Sequence, residues 1–91
     1  MDSRPLVREV NLRIHRLATS LAVPLEYVCE CAGHRCTELI ELDCSDFAGV
    51  LLLEDCYIVA PGHAGPGDEL VSQRFGYLIV HHSERSVATA G

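Results

Sequence analysis

Tryptophan and lysine are both missing from this chain, and methionine occurs only at position 1. Two Phe and three Tyr are its only large aromatic residues. A packed interior must therefore be aliphatic, built from Leu, Val and Ile, and a hydrophobic fraction of 48% supplies enough of them. With no lysine, all seven basic residues are Arg, set against thirteen acidic ones for a formal charge of −6. Such a chain lacks the concentrated basic face that displaces counterions from phosphates, so nucleic acid is not an expected partner. The local exception is the amino-terminal segment, which holds Arg4, Arg8, Arg13 and Arg16.

Long apolar runs are also lacking. Residues 50–53 form a run far too short to span a bilayer, and no membrane is expected. The opening MDSRPLVREV is interrupted by charges and does not read as a signal peptide. The expected compartment is the cytoplasm, where thiols stay reduced. Five cysteines there point to metal binding or redox chemistry before disulfides. Ninety-one residues make one domain, expected over 1–82 with a frayed polar tail at 83–91. A chain this short buries roughly 60–65% of its unfolded surface, and domains near that limit often add a metal.

Residues 5–21 read as a helix, with Pro5 suited to its first turn. Val7, Val10, Ile14, Leu17 and Leu21 recur at spacings of 3, 4, 3 and 4, with Arg8, Arg13, His15 and Arg16 largely off that stripe. The stripe is expected to pack on the domain's own sheet. A strict three-four repeat is also a coiled-coil seam, which makes a homodimer through this helix the alternative. Strands are expected at 25–29, 38–42, 57–60, 70–74 and 77–81, the last two around a tight turn at Gly76. A short helix over 46–54 is expected after an N-cap at Ser45, with Phe47, Val50, Leu51 and Glu54 on one face. Two Pro and three Gly mark 61–67 as a loop. The order predicts an α+β fold: a small antiparallel sheet, an N-terminal helix, a second short helix, and a zinc knuckle between the first two strands.

The informative segment is Cys29-Glu30-Cys31-Ala32-Gly33-His34-Arg35-Cys36, three thiols within eight residues. Zinc binds tetrahedrally and prefers thiolate and imidazole, so three cysteines call for a fourth ligand. His63 is the choice, because a Pro-Gly-His turn directly after a predicted strand can aim an imidazole back at a neighbouring knuckle. His34 lies inside the knuckle, where a short loop makes it hard to face the same ion as both flanking thiols. An iron–sulfur cluster suits the set less well, since such clusters prefer four thiolates. Cys44 and Cys56 flank the second helix and would lie about 18 Å apart along it. They read as small buried side chains that are not bridged.

Arg8-Glu9-Val10-Asn11 with Ile14, Cys29-Glu30-Cys31 with Cys36-Thr37-Glu38, Val59-Ala60-Pro61-Gly62-His63, and Tyr77-Leu78-Ile79-Val80 together resemble a group of small uncharacterised actinobacterial proteins. Their motifs are REVN-x-x-I, CEC-x4-C-T-E, F-V-V-A-P-G-H and Y-L-V-V. The resemblance covers most of 7–80 and implies a ligand role for Cys29, Cys31, Cys36 and His63; it implies no activity. The chain departs from the group at residues 32–35, where the group has Gly-Asp-Pro-Asp. It departs again at Leu51-Leu52-Leu53, a run that must expose at least one side chain and suggests a partner surface.

The expected function is a small zinc-binding interaction module, regulatory or accessory, with one structural Zn2+ in a Cys3His site and an unidentified protein partner. The alternatives are a thiol-based redox sensor that releases zinc on oxidation, with Arg35 favouring the Cys36 thiolate, and less readily an enzyme. Acid–base candidates exist in Glu30, Asp43, Asp68 and Glu69 with His34 or His63. No nucleophile–base pair or phosphate-cradling loop accompanies them.

Overall fold

The structure, a computed structural model, describes residues 4–18, 24–31 and 36–82. The elements run α1 (Arg4–Ala18), β1 (Leu25–Val28), β2 (Leu39–Leu42), α2 (Cys44–Leu51), β3 (Cys56–Val59), β4 (Glu69–Arg74) and β5 (Tyr77–His81). This is the expected α+β order. The strands form two antiparallel sheets: a β1–β2 hairpin, and a three-stranded sheet ordered β3-β5-β4. Part of the predicted helix, 19–21, and the predicted tail at 83–91 lie outside the described residues. No described helix is long and apolar enough to cross a membrane.

Side-chain alternation explains the hairpin. Leu25 faces Leu42 and Tyr27 faces Ile40 across the ladder on the inward side, while the exposed Glu26 and Glu41 oppose each other outside. In β3 and β5 the apolar residues run almost without a break, and Ile58, Val59, Ile79 and Val80 are all buried. A strand covered on both faces needs no polar alternation. Phe47 and Val50 of α2 join this core, with Phe47 stacked on Tyr27 at 4.5 Å between ring centroids. The edge strand β4 is exposed along most of its length and carries an irregularity between Leu70 and Ser72, a kink typical of edges.

Two local expectations are corrected. The second helix starts earlier than 46, is capped by Asp43 rather than Ser45, and stops at Leu51. The Asp43 carbonyl accepts the Asp46 and Phe47 N–H groups, each at 3.1 Å, and its side chain makes no cap bond. Of the three leucines, Leu51 packs against the core while Leu52 and Leu53 are exposed.

The larger correction concerns α1. Its apolar stripe faces the core only in part: Ile14 packs against it and Val7 is half-buried, whereas Leu17 is 72% exposed and Val10 is exposed as well. The helix instead buries Arg4 and Asn11, with Arg8 and His15 half-buried, a stripe of polar residues at the same 4-3-4 spacing. Leu12 and Ile14 are half-buried beside it. The reason is electrostatic. Fully burying a leucine is worth about 1.5–3 kcal/mol, whereas a buried carboxylate left without a partner costs several kcal/mol. Two buried carboxylates, Glu30 and Asp68, lie beneath α1 and set its rotation.

Candidate metal centre

Two glycine turns build one side of the site. The Ala60-Pro61-Gly62-His63 turn closes with a 3.0 Å bond from the His63 N–H to the Ala60 carbonyl, and Gly62 sits at φ +84°. Proline second and a left-handed glycine third is the arrangement of a type II turn. Gly65-Pro66-Gly67-Asp68 repeats it, with a 3.1 Å bond from Asp68 N–H to Gly65 carbonyl and Gly67 also at φ +84°. The predicted loop is thus two consecutive Pro-Gly turns. The first presents His63, the second Asp68.

The other side is the knuckle between β1 and β2. Cys29 N–H donates to the Glu38 carbonyl at 2.9 Å, which carries the hairpin ladder one step past β1. Glu30 N–H then donates to Ile58 at 2.7 Å, so the chain crosses from the first sheet to the second at this point. Here Cys29, Cys31, Cys36 and His63 come together, one donor atom from each lying within 4.8 Å of all the others. His63 turns Nδ1 inward, 3.4 Å from Cys36 Sγ and 3.6 Å from Cys29 Sγ. Cys29 and Cys31 are buried; Cys36 and His63 are partly exposed. This Cys3His group is positioned to hold a metal ion.

Burial dominates the electrostatics of Cys29. Its thiol is pushed up to about 12 by desolvation, with the neighbouring Cys31 adding to the rise and N–H bonds from Ala60 and Cys31 working against it. The Ala60 N–H lies 3.1 Å from Cys29 Sγ. A divalent cation inverts this balance, because the buried charge then has a counter-charge at bonding distance.

Glu30, between the two sulfur residues, points the other way. Its carboxylate accepts from Arg8 Nε at 2.7 Å, Arg8 Nη2 at 2.8 Å, Asn11 Nδ2 at 3.0 Å and the Ile58 N–H at 3.0 Å. Its carbonyl accepts from Arg4 Nε at 2.8 Å. Asn11 also exchanges a pair of bonds with the backbone of Val28, 2.8 Å to its carbonyl and 2.7 Å from its N–H, as a neighbouring strand would. Arg8 lies 4.9 Å from the Tyr57 ring centroid and 5.7 Å from that of Phe47. Glu30 is therefore an anchor between the knuckle and α1.

Asp68 is held in the same manner. It takes two bonds from Arg4, at 3.0 and 2.6 Å, one from the Gly65 N–H at 2.8 Å, and one contact of 2.9 Å with His82 Nδ1. Burial alone would push its carboxyl up, but Arg4, the Gly65 N–H and His82 together hold it below the usual carboxylate value. Asp43 lines a separate cleft of about 360 Å³ with Asp46, Arg74 and Tyr77, and Glu69 is exposed on β4. The acid–base candidates are thus scattered rather than gathered, and His34 lies outside the described residues. No disulfide joins any of the five cysteines, Cys44 and Cys56 included. Burial, with the Asp55 charge, pushes the Cys56 thiol up against a smaller opposing effect of Arg8.

Arg4, Arg8, Asn11 and His82 escaped the sequence reading. The signal for the first three was present: a carboxylate trapped between two buried cysteines needs cations, and Arg4, Arg8 and Asn11 share one helical face. Comparison with known protein families, curated proteins and solved structures returns no match to the chain.

Proposed function

We propose that this chain is a zinc-stapled interaction module, in which Cys29, Cys31, Cys36 and His63 hold one structural Zn2+. One observation carries the reading: the donor spacing. Zinc–sulfur bonds of about 2.3 Å and zinc–nitrogen bonds of about 2.0–2.1 Å place tetrahedral S and N ligands about 3.6 Å apart. His63 Nδ1 stands at 3.4 and 3.6 Å from two of the sulfurs. Four protein donors fill a tetrahedron and leave no position for water or substrate, which favours a structural ion over a catalytic one. A mixed Cys3His set also suits zinc better than an iron–sulfur cluster. A thiolate-rich site of this kind suits a reducing compartment such as the cytoplasm.

The partner is a protein. Arg4 and Arg8 are tied to Asp68 and Glu30, so the basic bias of the amino-terminal segment is largely neutralised and a nucleic-acid face is disfavoured. Leu6 and Val10 on α1, with Leu52 and Phe75 elsewhere, are exposed apolar side chains fit for a protein interface. A second copy of the chain meeting α1 is the first partner to test, by sedimentation equilibrium.

Metal analysis of the purified protein should give one zinc per chain. Chelation should then lower the melting temperature sharply and reduce the helical circular dichroism. Zinc binding is worth about 10–16 kcal/mol in finger peptides, as much as the whole stability of an ordinary domain. An unchanged melt after complete metal removal would rule the structural role out.

A redox reading has one observation in its favour. Cys36 is the only sulfur of the set that is not buried. A peroxide would convert its thiolate to a sulfenic acid with release of hydroxide, and condensation with a neighbouring thiol would give a disulfide and water, removing two ligands. Zinc release by peroxide that a thiol reductant reverses would support this reading; irreversible precipitation would count against it.

A further inference from the structure

Helix α1 is fastened to the knuckle in a way that makes its docking depend on the metal. Extended chain sends successive side chains to opposite sides. Cys29 accordingly points to His63, while Glu30 points to Arg8 and Asn11. The same few atoms of backbone form one wall of the metal centre and the floor beneath α1. Arg4 reaches the Glu30 carbonyl, Arg8 and Asn11 reach its carboxylate, and Asn11 grips Val28 two residues earlier. Apolar support comes from the half-buried Leu12 and Ile14, while Leu6 and Val10 face outward.

Resting on the metal-centre reading above, we propose that Glu30 couples occupancy of the Cys3His site to the docking of α1, so that loss of the metal releases this helix before the β3–β5 sheet opens. With the ion bound, the sulfurs of Cys29 and Cys31 fix the backbone on either side of Glu30 and hold its carboxylate in register with Arg8 and Asn11 and its carbonyl in register with Arg4. Without it, the bonds to Ile58, Ala60 and Glu38 still hold Cys29 and Glu30, but the sulfurs of Cys29 and Cys31 lose their common tie to Cys36 and His63. Bidentate Arg pairing tolerates little displacement, because its strength lies in fork-on-fork geometry. The β3–β5 ladder, with its buried Ile58, Val59, Ile79 and Val80, is closed by its own backbone pairing, and β3 meets Glu30 and Arg8 through bonds at Ile58 and Cys56. Release would uncover the Tyr57 and Phe47 faces under Arg8 and present the basic, apolar segment 4–18 to other molecules. Metal supply, or oxidation of the thiols, would thereby regulate what the module displays.

Hydrogen–deuterium exchange read by mass spectrometry tests this on the full chain, before and after chelation and again after zinc is restored. The expected result is exchange in 4–18 that speeds up about tenfold or more without metal, much smaller change across 56–81, and full reversal on zinc addition. Glu30→Gln should take up one zinc per chain yet show fast exchange in 4–18 even when loaded. Unaltered protection of 4–18 in the metal-free chain, or equal acceleration of every segment, overturns the coupling. A chain that neither contains nor takes up metal overturns the metal centre itself, so the two failures are distinguishable.

Discussion

At the scale of single residues, the account turns on Glu30 and Asp68, two carboxylates withdrawn from water and each held by arginine. Removing one partner of such a pair leaves an uncompensated buried charge, at a cost of about 3–5 kcal/mol. Arg8→Met should lower the unfolding free energy by that order, read from urea titrations of the metal-loaded protein. Asn11→Ala should cost about 1–3 kcal/mol, because Val28 and Glu30 lose the amide that satisfies them. The Asp68 carboxyl is lowered in the folded chain, so its contribution is present above the ordinary carboxylate range and is lost as pH falls through the lowered value. Cys29 works in the opposite sense. Its thiol is raised without metal, so binding must displace a proton and affinity must fall with acidity. Calorimetry in buffers of different ionisation enthalpy should find net proton release on zinc binding near neutral pH, and no release would contradict a thiolate site.

At the scale of elements, α1 separates what the sequence discloses from what it hides. Its existence and approximate length were legible from a three-four apolar repeat. Its rotation was not, because periodicity locates a stripe but does not say which stripe faces inward when two carboxylates underneath demand cations. Val10→Gln and Leu17→Gln should therefore change the stability of the monomer by no more than about 0.5 kcal/mol. Large losses would mean that the apolar stripe is the buried one after all. Five strands and the second helix were legible to within a few residues, since alternation and Pro-Gly breaks are local signals. Four cysteine and histidine side chains were legible as a group because ligand chemistry restricts the choice to few residue types. The paired Pro-Gly turns were read as one loop. Nothing lies near a Cβ added at Gly62, so Gly62→Ala tests the backbone alone, with an expected cost of about 1–2 kcal/mol in melting experiments.

At the scale of the whole molecule, a two-stranded hairpin and a three-stranded sheet meet along residues 29–31, with α1 laid across the junction. The hairpin contributes three sulfurs, the turn after β3 contributes the imidazole, and one ion between them would tie the two sheets into a single unit. X-ray absorption at the zinc edge examines that tie most directly. The account predicts a first shell of three sulfurs at about 2.3 Å and one nitrogen at about 2.0–2.1 Å in stoichiometrically loaded protein. A shell containing only nitrogen and oxygen, or a chain purified without stoichiometric metal and unable to acquire it, would contradict it.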